Sequence, residues 1–422
     1  MHIARRTVLG AAMVAALTGA ALPAAAQSSP HTSRISGGTG GREADGASAA
    51  PAISANGRYV AFTSAATNLV PGDRNGVADL FVRDLRTGRT QRVAEGPASD
   101  PALSADGRYV VFATEAALTK GDHNDAADIY LRDLRTHRTE RISTGHAASP
   151  PLFELNYLPT ISGNGRYVAY STASPDAAPG DTNGRDDVIV HDRRTGRNEL
   201  VQFTTDGTQG DSDSFQASLS ADGRCVAFVT AAQLDPAHDW THATNVYVRD
   251  RAKGTTEQVS IPTRFVYKNS SWGPSMSANA RLVAFSSNVA NLVPDDTNKT
   301  TDVFLFDRKA RTTVRLSTAA DGTQADGASQ GVSLSADGRY AAFGSAATNL
   351  VPGDTNGVAD IFVKDLRTGA IRLVTDAADG ASDTVALDAH GRTAVFSSTA
   401  TNLVPRDTNG VADIFVRHLG AK

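Results

Sequence analysis

One phrase recurs seven times in this chain, and its spacing limits what the chain can fold into. It reads Ser-Ala-Asn-Gly-Arg-Tyr from Ser54 to Tyr59 and returns at Ser104, Ser162, Ser220, Ser277, Ser335 and Asp388. The steps are 50, 58, 58, 57, 58 and 53 residues. A period of this length means a solenoid, an array or a propeller. The content of one copy chooses among them. In the sixth copy Gly331 to Ser335 reads as a short strand, and Asp337-Gly338 as a two-residue hairpin turn. Arg339 to Ser345 is a second strand, Ala359 to Asp365 a third rich in β-formers, and Ala370 to Thr375 a fourth beyond the Thr368-Gly369 turn. Four antiparallel strands per copy, taken seven times, predict an all-β, seven-bladed β-propeller.

The ends of the chain sharpen this expectation. The seventh copy stops after its third strand, and its fourth is missing. Ser33-Arg34-Ile35-Ser36, ahead of the first copy, matches the fourth strands at Arg141-Ile142-Ser143 and Arg315-Leu316-Ser317. The N-terminal strand is therefore expected to complete the last blade, because closure removes two unpaired edges. Residues 27–422 are expected to form this single propeller domain.

The repeated phrases, Ser-Ala-Asp-Gly-Arg-Tyr and Asp-Ile-Phe-Val-Lys-Asp-Leu-Arg-Thr-Gly, resemble the WD-repeat-like propeller repeats of TolB-type proteins. The resemblance covers residues 33–418. It implies the propeller fold, and it leaves function open because propellers host binding and catalysis alike.

Residues 1–26 read as an export signal. Arg5-Arg6-Thr7-Val8-Leu9 resembles a twin-arginine motif, an Ala- and Gly-rich apolar stretch follows, and Ala24-Ala25-Ala26 offers a cleavage site. No Cys follows that site, so a lipid anchor is not expected. The expected location is extracytoplasmic, secreted or periplasmic, with no membrane span after signal removal. Net charge is −4 and the single Cys, Cys225, excludes an internal disulfide framework. No basic footprint for nucleic acid is present. Cys225 replaces the usual Tyr of a second strand and is expected to be a buried, inert thiol.

Strand parity puts the tight turns on one face of the ring and the long second-to-third and blade-to-blade loops on the other. Function is expected on the long-loop face. There the motif Asp-x-Asn-x-x-x-Asp recurs as Asp73/Asn75/Asp79, Asp122/Asn124/Asp128, Asp181/Asn183/Asp187, Asp296/Asn298/Asp302, Asp354/Asn356/Asp360 and Asp407/Asn409/Asp413. Blade 4 departs from it, with Asp239, Thr241 and Asn245. Alternating oxygen ligands suggest calcium loops, but the bidentate Glu of such loops is missing. The reading preferred from sequence is a scaffold in which Asp and Asn bond nearby backbone, with no resident cofactor and calcium as the alternative.

Departures from the repeat single out one flank. Blade 4 carries His238, Asp239, Trp240 and His242 in one loop, and the next loop carries Tyr267 before Trp272. Tyr157 and Phe215 precede the third and fourth copies. Trp240, Trp272, His238, Asp239, His242 and Tyr267 are the candidate ligand-binding residues, since exposed aromatics among polar groups suit a sugar or peptide. His238, Asp239 and His242 form only a weak metal-ligand pattern. No nucleophile elbow, zincin helix or phosphate loop occurs, and the export-processed chain has seven Glu at no fixed place in the repeat. No catalytic residue is assigned. The expected function is a non-catalytic, monomeric binding propeller whose partner is a cell-envelope or extracellular glycan or protein. The alternative is a propeller hydrolase or lyase with a metal-assisted or acid/base site.

Overall fold

A computed structural model describes residues 31–124, 126–144, 156–238, 243–264 and 269–420. Its 28 strands fall into seven four-stranded antiparallel sheets, and the one helical segment among the described residues is a single 3-10 turn at Thr39–Gly41. Blade 1 comprises Ser48–Ile53, Tyr59–Ser64, Asp79–Asp84 and Arg89–Ala94, counted outward from the axis. Blades 2 to 6 repeat that order along the chain. The strand bounds expected for the sixth copy shift slightly: its innermost strand is Ser329–Leu334 and its outer one only Ile371–Leu373.

Blade 7 takes Ser382–Leu387, Thr393–Ser398 and Asp413–His418 from the C-terminus, and Thr32–Arg34 from the N-terminus. Thr32, Ser33 and Arg34 pair with Arg417, Val416 and Phe415. The Ile35 N–H donates to Ile414 O at 2.8 Å, as Ile142 does to Ile129 O and Leu316 to Val303 O at 2.7 Å. The closing strand thus adopts the register that covalently continuous blades use.

The repeated phrase works on both sides of its turn. The Ser54 hydroxyl donates to Asn56 Oδ1 at 2.7 Å and accepts the Tyr59 N–H at 2.9 Å, which holds the hairpin. Arg58 reaches both Asp84 oxygens, at 3.0 and 2.6 Å, and holds that carboxyl well below the usual carboxylate range. Each Tyr packs against the turn of the next blade. A Cβ on Gly107 would stand 2.2 Å from the Tyr59 ring, and one on Gly223 equally close to Tyr167. Glycine at these left-handed positions is a packing requirement as well as a backbone one.

Seven apolar clusters fill the seams between neighbouring blades. Six blades hold a stacked aromatic pair across their middle strands, such as Phe62–Phe81 with centroids 5.9 Å apart. These rings are fully buried, and each contributes roughly 1.5–3 kcal/mol. The seam between blades 7 and 1 is built like the rest, with Ile35, Phe62, Val395 and Ile414 in one cluster.

Cys225 is buried and reduced, and burial pushes its thiol up. Its seam explains it. Where other blades meet a Gly turn, blade 5 offers Ala280 at φ 57°, packed in the same cluster as Cys225. A small side chain on one blade has made room for a methyl on the next.

Two outcomes follow from these seams. A chain beginning at Ala44 lacks the closing strand and should run as an aggregate or strand-swapped oligomer; a stable monomer by size-exclusion chromatography contradicts the closure account. Cys225→Tyr should cost about 1–3 kcal/mol through overpacking, and Ala280→Gly added to it should restore most of that loss in a double-mutant cycle of urea unfolding.

Candidate functional site

The seven innermost strands stand side by side around the axis, and each is kinked at its third residue. The register slips there in every blade. The third residue has positive φ in all seven: Ala50, Asp100, Leu158, Gln216, Gly273, Gly331 and Thr384. Pro51, Pro101, Pro159 and Pro274 follow it in four blades. Proline is tolerated because this strand is an edge whose free side faces the channel. A β-branched Thr384 at φ 41° is a strained exception to ordinary L-residue backbone.

The residue before each kink pairs with the fifth residue of the second strand, close to the long-loop face. Around the ring these residues are Ala49, Ser99, Tyr157, Phe215, Trp272, Gln330 and Asp383, opposite Thr63, Ala113, Ser171, Val229, Ser286, Gly344 and Ser397. Blades 3, 4 and 5 therefore place three aromatics in equivalent positions at the channel mouth. Phe215 and Trp272 pack on the blade 4–5 cluster while remaining partly exposed. The Tyr157 hydroxyl donates to Asp186 at 2.7 Å. The Gly273 N–H donates to Gln216 Oε1 at 2.9 Å and ties two kinks together. A groove of about 510 Å³ runs beside Tyr157, lined also by Ser99, Asp100 and Glu115. A recess of about 240 Å³ deeper in the channel is walled by Asp100, Leu158, Gln216 and Gly273.

Of the six residues singled out from sequence, the structure places two. Trp272 lies in the innermost strand Ser271–Met276 rather than in a loop, because the kink lets the chain pair before it turns. His238 sits in the blade 4 loop with Nδ1 3.0 Å from Asp235. Trp240, Asp239, His242 and Tyr267 lie outside the described residues. Tyr157 and Phe215 join Trp272 as strand residues. The sequence patterns do not single out the channel residues Asp100 and Gln216; for Asp100 the available signal is the Pro101-Ala102-Leu103 that leads into Ser104, a Pro placement shared by blades 1, 3 and 5, whereas Ala217 follows Gln216 and gives no such mark.

The Asp-x-Asn-x-x-x-Asp loops surround this mouth. In each of the six copies the Asn amide donates to the final Asp, at 2.7–3.2 Å. An Arg from the outer strand bridges the two Asp in four blades. The Arg34 guanidinium lies 2.8 Å from Asp407 and 3.2 Å from Asp413, and Arg315 lies 3.0 and 3.5 Å from Asp296 and Asp302. Arg92 and Arg141 do the same in blades 1 and 2. In blades 2, 5 and 7 a hydroxyl two residues later, such as Ser317 on Asp302 at 2.5 Å, completes the final Asp, whereas blade 1 has Ala94 there and Asp79 accepts the Gly96 N–H at 2.8 Å. Blades 3 and 6 have Leu200 and Leu373 in the Arg position. In blade 6 Thr375 still donates to Asp360 at 2.5 Å. In blade 3 Gln202 replaces the hydroxyl, and burial, reinforced by the Asp181 and Asp186 carboxylates, pushes Asp187 up to about 8.

Among the described residues no group of three or more His, Cys, Asp and Glu is arranged to hold a metal, and no helix is long and apolar enough to cross a membrane. No protein-family model matches the chain, and no curated protein sequence matches it. Solved structures do. Oligogalacturonate lyase from Vibrio parahaemolyticus is 11% identical with a TM-score of 0.57, over 92% of this chain and 93% of that one. The propeller domain of the Trilobed protease from Pyrococcus furiosus is 12% identical with a TM-score of 0.55, over 88% and 95%. TolB from Acinetobacter baumannii is 16% identical, but its TM-score is 0.41 and this chain spans only 55% of it. The first two show the fold, a β-propeller, and nothing narrower.

The bridged Asp pairs carry a stability consequence. Arg315, Asp296 and Asp302 have side chains only 8%, 4% and 0% exposed. Arg315→Leu strands two buried carboxylates and should cost about 3–5 kcal/mol in urea unfolding with EDTA present; a loss below about 1 kcal/mol would show that the bridge is not what neutralises them.

Proposed function

We propose that this chain is an exported, non-catalytic binding propeller that holds a glycan of the cell envelope or extracellular space on its long-loop face. The observation that supports this reading is the arc of Tyr157, Phe215 and Trp272, one from each of three adjacent innermost strands in the same register. Aromatic faces bury the apolar faces of sugar rings, and Ser99, Asp100 and Glu115 beside Tyr157 offer hydroxyl-directed hydrogen bonds. Rigid strands, rather than loops, carry the arc, so little order has to be gained on binding. The export signal read at residues 1–26 supports an extracytoplasmic setting and a glycan as the ligand found there. The charge of −4 argues against an anionic polymer bound by charge alone.

A second reading, an extracytoplasmic lyase or hydrolase, is favoured by the end-to-end likeness to a protein named oligogalacturonate lyase. The two separate by assay. Binding of the full chain to a panel of envelope and extracellular polysaccharides should be saturable, and Tyr157→Ala with Trp272→Ala should weaken it at least about 10-fold, as loss of two anchor residues does. Trp272→Phe, with an unchanged melting temperature, should retain most of it. Undiminished binding by the double variant removes this face from consideration, and turnover of any bound glycan replaces the binding reading with the enzymatic one.

A further inference from the structure

We propose that blade 3 holds a calcium ion between Asp181, Asp187 and Gln202, in the place that an arginine guanidinium fills in blades 1, 2, 5 and 7. The inference is independent of the glycan reading.

The argument is a comparison of the protein with itself. Four blades present two loop carboxylates to one guanidinium, with nitrogen–oxygen distances of 2.8–3.5 Å. Blade 3 keeps both carboxylates and keeps the Asn183 amide on Asp187 at 3.2 Å. It has lost the cation, because Leu200 packs instead into the apolar blade 2–3 cluster. It has also lost the hydroxyl that bonds the final Asp in blades 2, 5, 6 and 7. No other copy of the motif lacks both.

What replaces them points to a ligand. Asp187 is 1% exposed, and its Oδ2 has no hydrogen-bond partner. Gln202 is 0% exposed, and both its amide oxygen and its amide nitrogen lack partners. The preceding residue sets its direction. The Val201 N–H bonds Val188 O as Ile142 bonds Ile129 O, so the Cβ of Gln202 leaves the backbone as that of Ser143 does. The Ser143 hydroxyl bonds Asp128, the counterpart of Asp187. A fully buried amide is therefore directed at a buried carboxylate with one unpartnered oxygen, Asp187 Oδ2. Leaving a buried polar group without a partner is costly, and two such groups beside a second carboxylate make an uncompensated site.

A small hard cation satisfies all of these groups together. Calcium takes six to eight oxygens in flexible geometry, and two carboxylates plus one amide oxygen leave the remainder to water and backbone carbonyls. Gln209 already orients Asp181, donating to its Oδ1 at 3.1 Å, as second-sphere groups orient metal ligands. Magnesium, which demands near-ideal octahedral geometry, suits this uneven set less well.

The test uses the full chain stripped with EDTA and calcium chloride as the probe. Equilibrium dialysis should find one calcium bound per chain, and calcium but not magnesium should raise the melting temperature. Leu200→Arg with Gln202→Ser rebuilds the guanidinium and hydroxyl of the other blades. That variant should melt higher without calcium, gain nothing from it and bind it at least 10-fold more weakly. Should it fail to fold, Asp187→Asn should lose binding to the same extent, whereas Asp354→Asn in blade 6 should bind as the unaltered chain does. No bound calcium, binding retained by the rebuilt blade and by Asp187→Asn, or binding lost in Asp354→Asn would each overturn the assignment.

Discussion

Ring closure is the constraint on which the rest of this structure depends. The middle strands of every blade are apolar on both faces, so each sheet must be covered on both sides. Only a closed ring covers all seven alike. The chain closes it with three paired residues, Thr32 to Arg34, and the contacts that follow them. Arg34 then reaches Asp407 and Asp413, and the Ser36 hydroxyl donates to Asp413 at 2.5 Å, so the same short segment also completes a loop on the opposite end of the chain. Glu43 extends the join by accepting from the Thr408 N–H and hydroxyl at 2.6 and 2.7 Å.

Repetition lets the molecule act as its own control. Where one residue of the repeat changes, its neighbour in the adjoining blade shows the consequence. Cys225 faces Ala280 where Tyr faces Gly at four other seams. The residue after the third strand is Leu in blades 1, 2, 6 and 7 but Arg193, Arg251 and Arg308 in blades 3 to 5. Those three arginines reach back to Glu140, Glu199 and Glu257 of the preceding blade, and two of them lie over Tyr109 and Tyr167. The half of the ring that carries the aromatic arc is therefore joined by polar bridges where the other half uses leucine. Partly exposed pairs of this kind add little net stability, but they fix the relative placement of blades whose channel ends form the arc.

The loop motif illustrates how one sequence pattern serves two physical roles. With an arginine and a hydroxyl present, Asp-x-Asn-x-x-x-Asp is a self-contained brace for a long loop. Without them, the same oxygens are a buried anionic pocket. Whether a copy has that brace is set by the outer strand, more than a dozen residues beyond the loop in five copies and, in blade 7, at Arg34 from the other end of the chain.

Blade number, strand count and the identity of the closing strand were all legible from the sequence, because the spacing of Ser-Ala-Asp-Gly-Arg-Tyr and the Arg-Ile-Ser match are local patterns with a single periodic solution. The face carrying the long loops followed from parity alone. The composition of the site did not. Trp272, Tyr157 and Phe215 read as loop residues, since a strand interrupted by a left-handed kink and a proline loses the alternation that marks strands. Their common register exists only once seven innermost strands are set around an axis. Likewise, that Leu200 and Gln202 leave Asp187 uncompensated depends on the pairing of outer and third strands, a contact between residues that no local pattern connects. The sequence alone determined the ring, since its repeat encodes the same buried surfaces seven times over; only the tertiary structure decided which departures from that repeat meet in space, because a site is made of residues brought together across blades rather than along the chain.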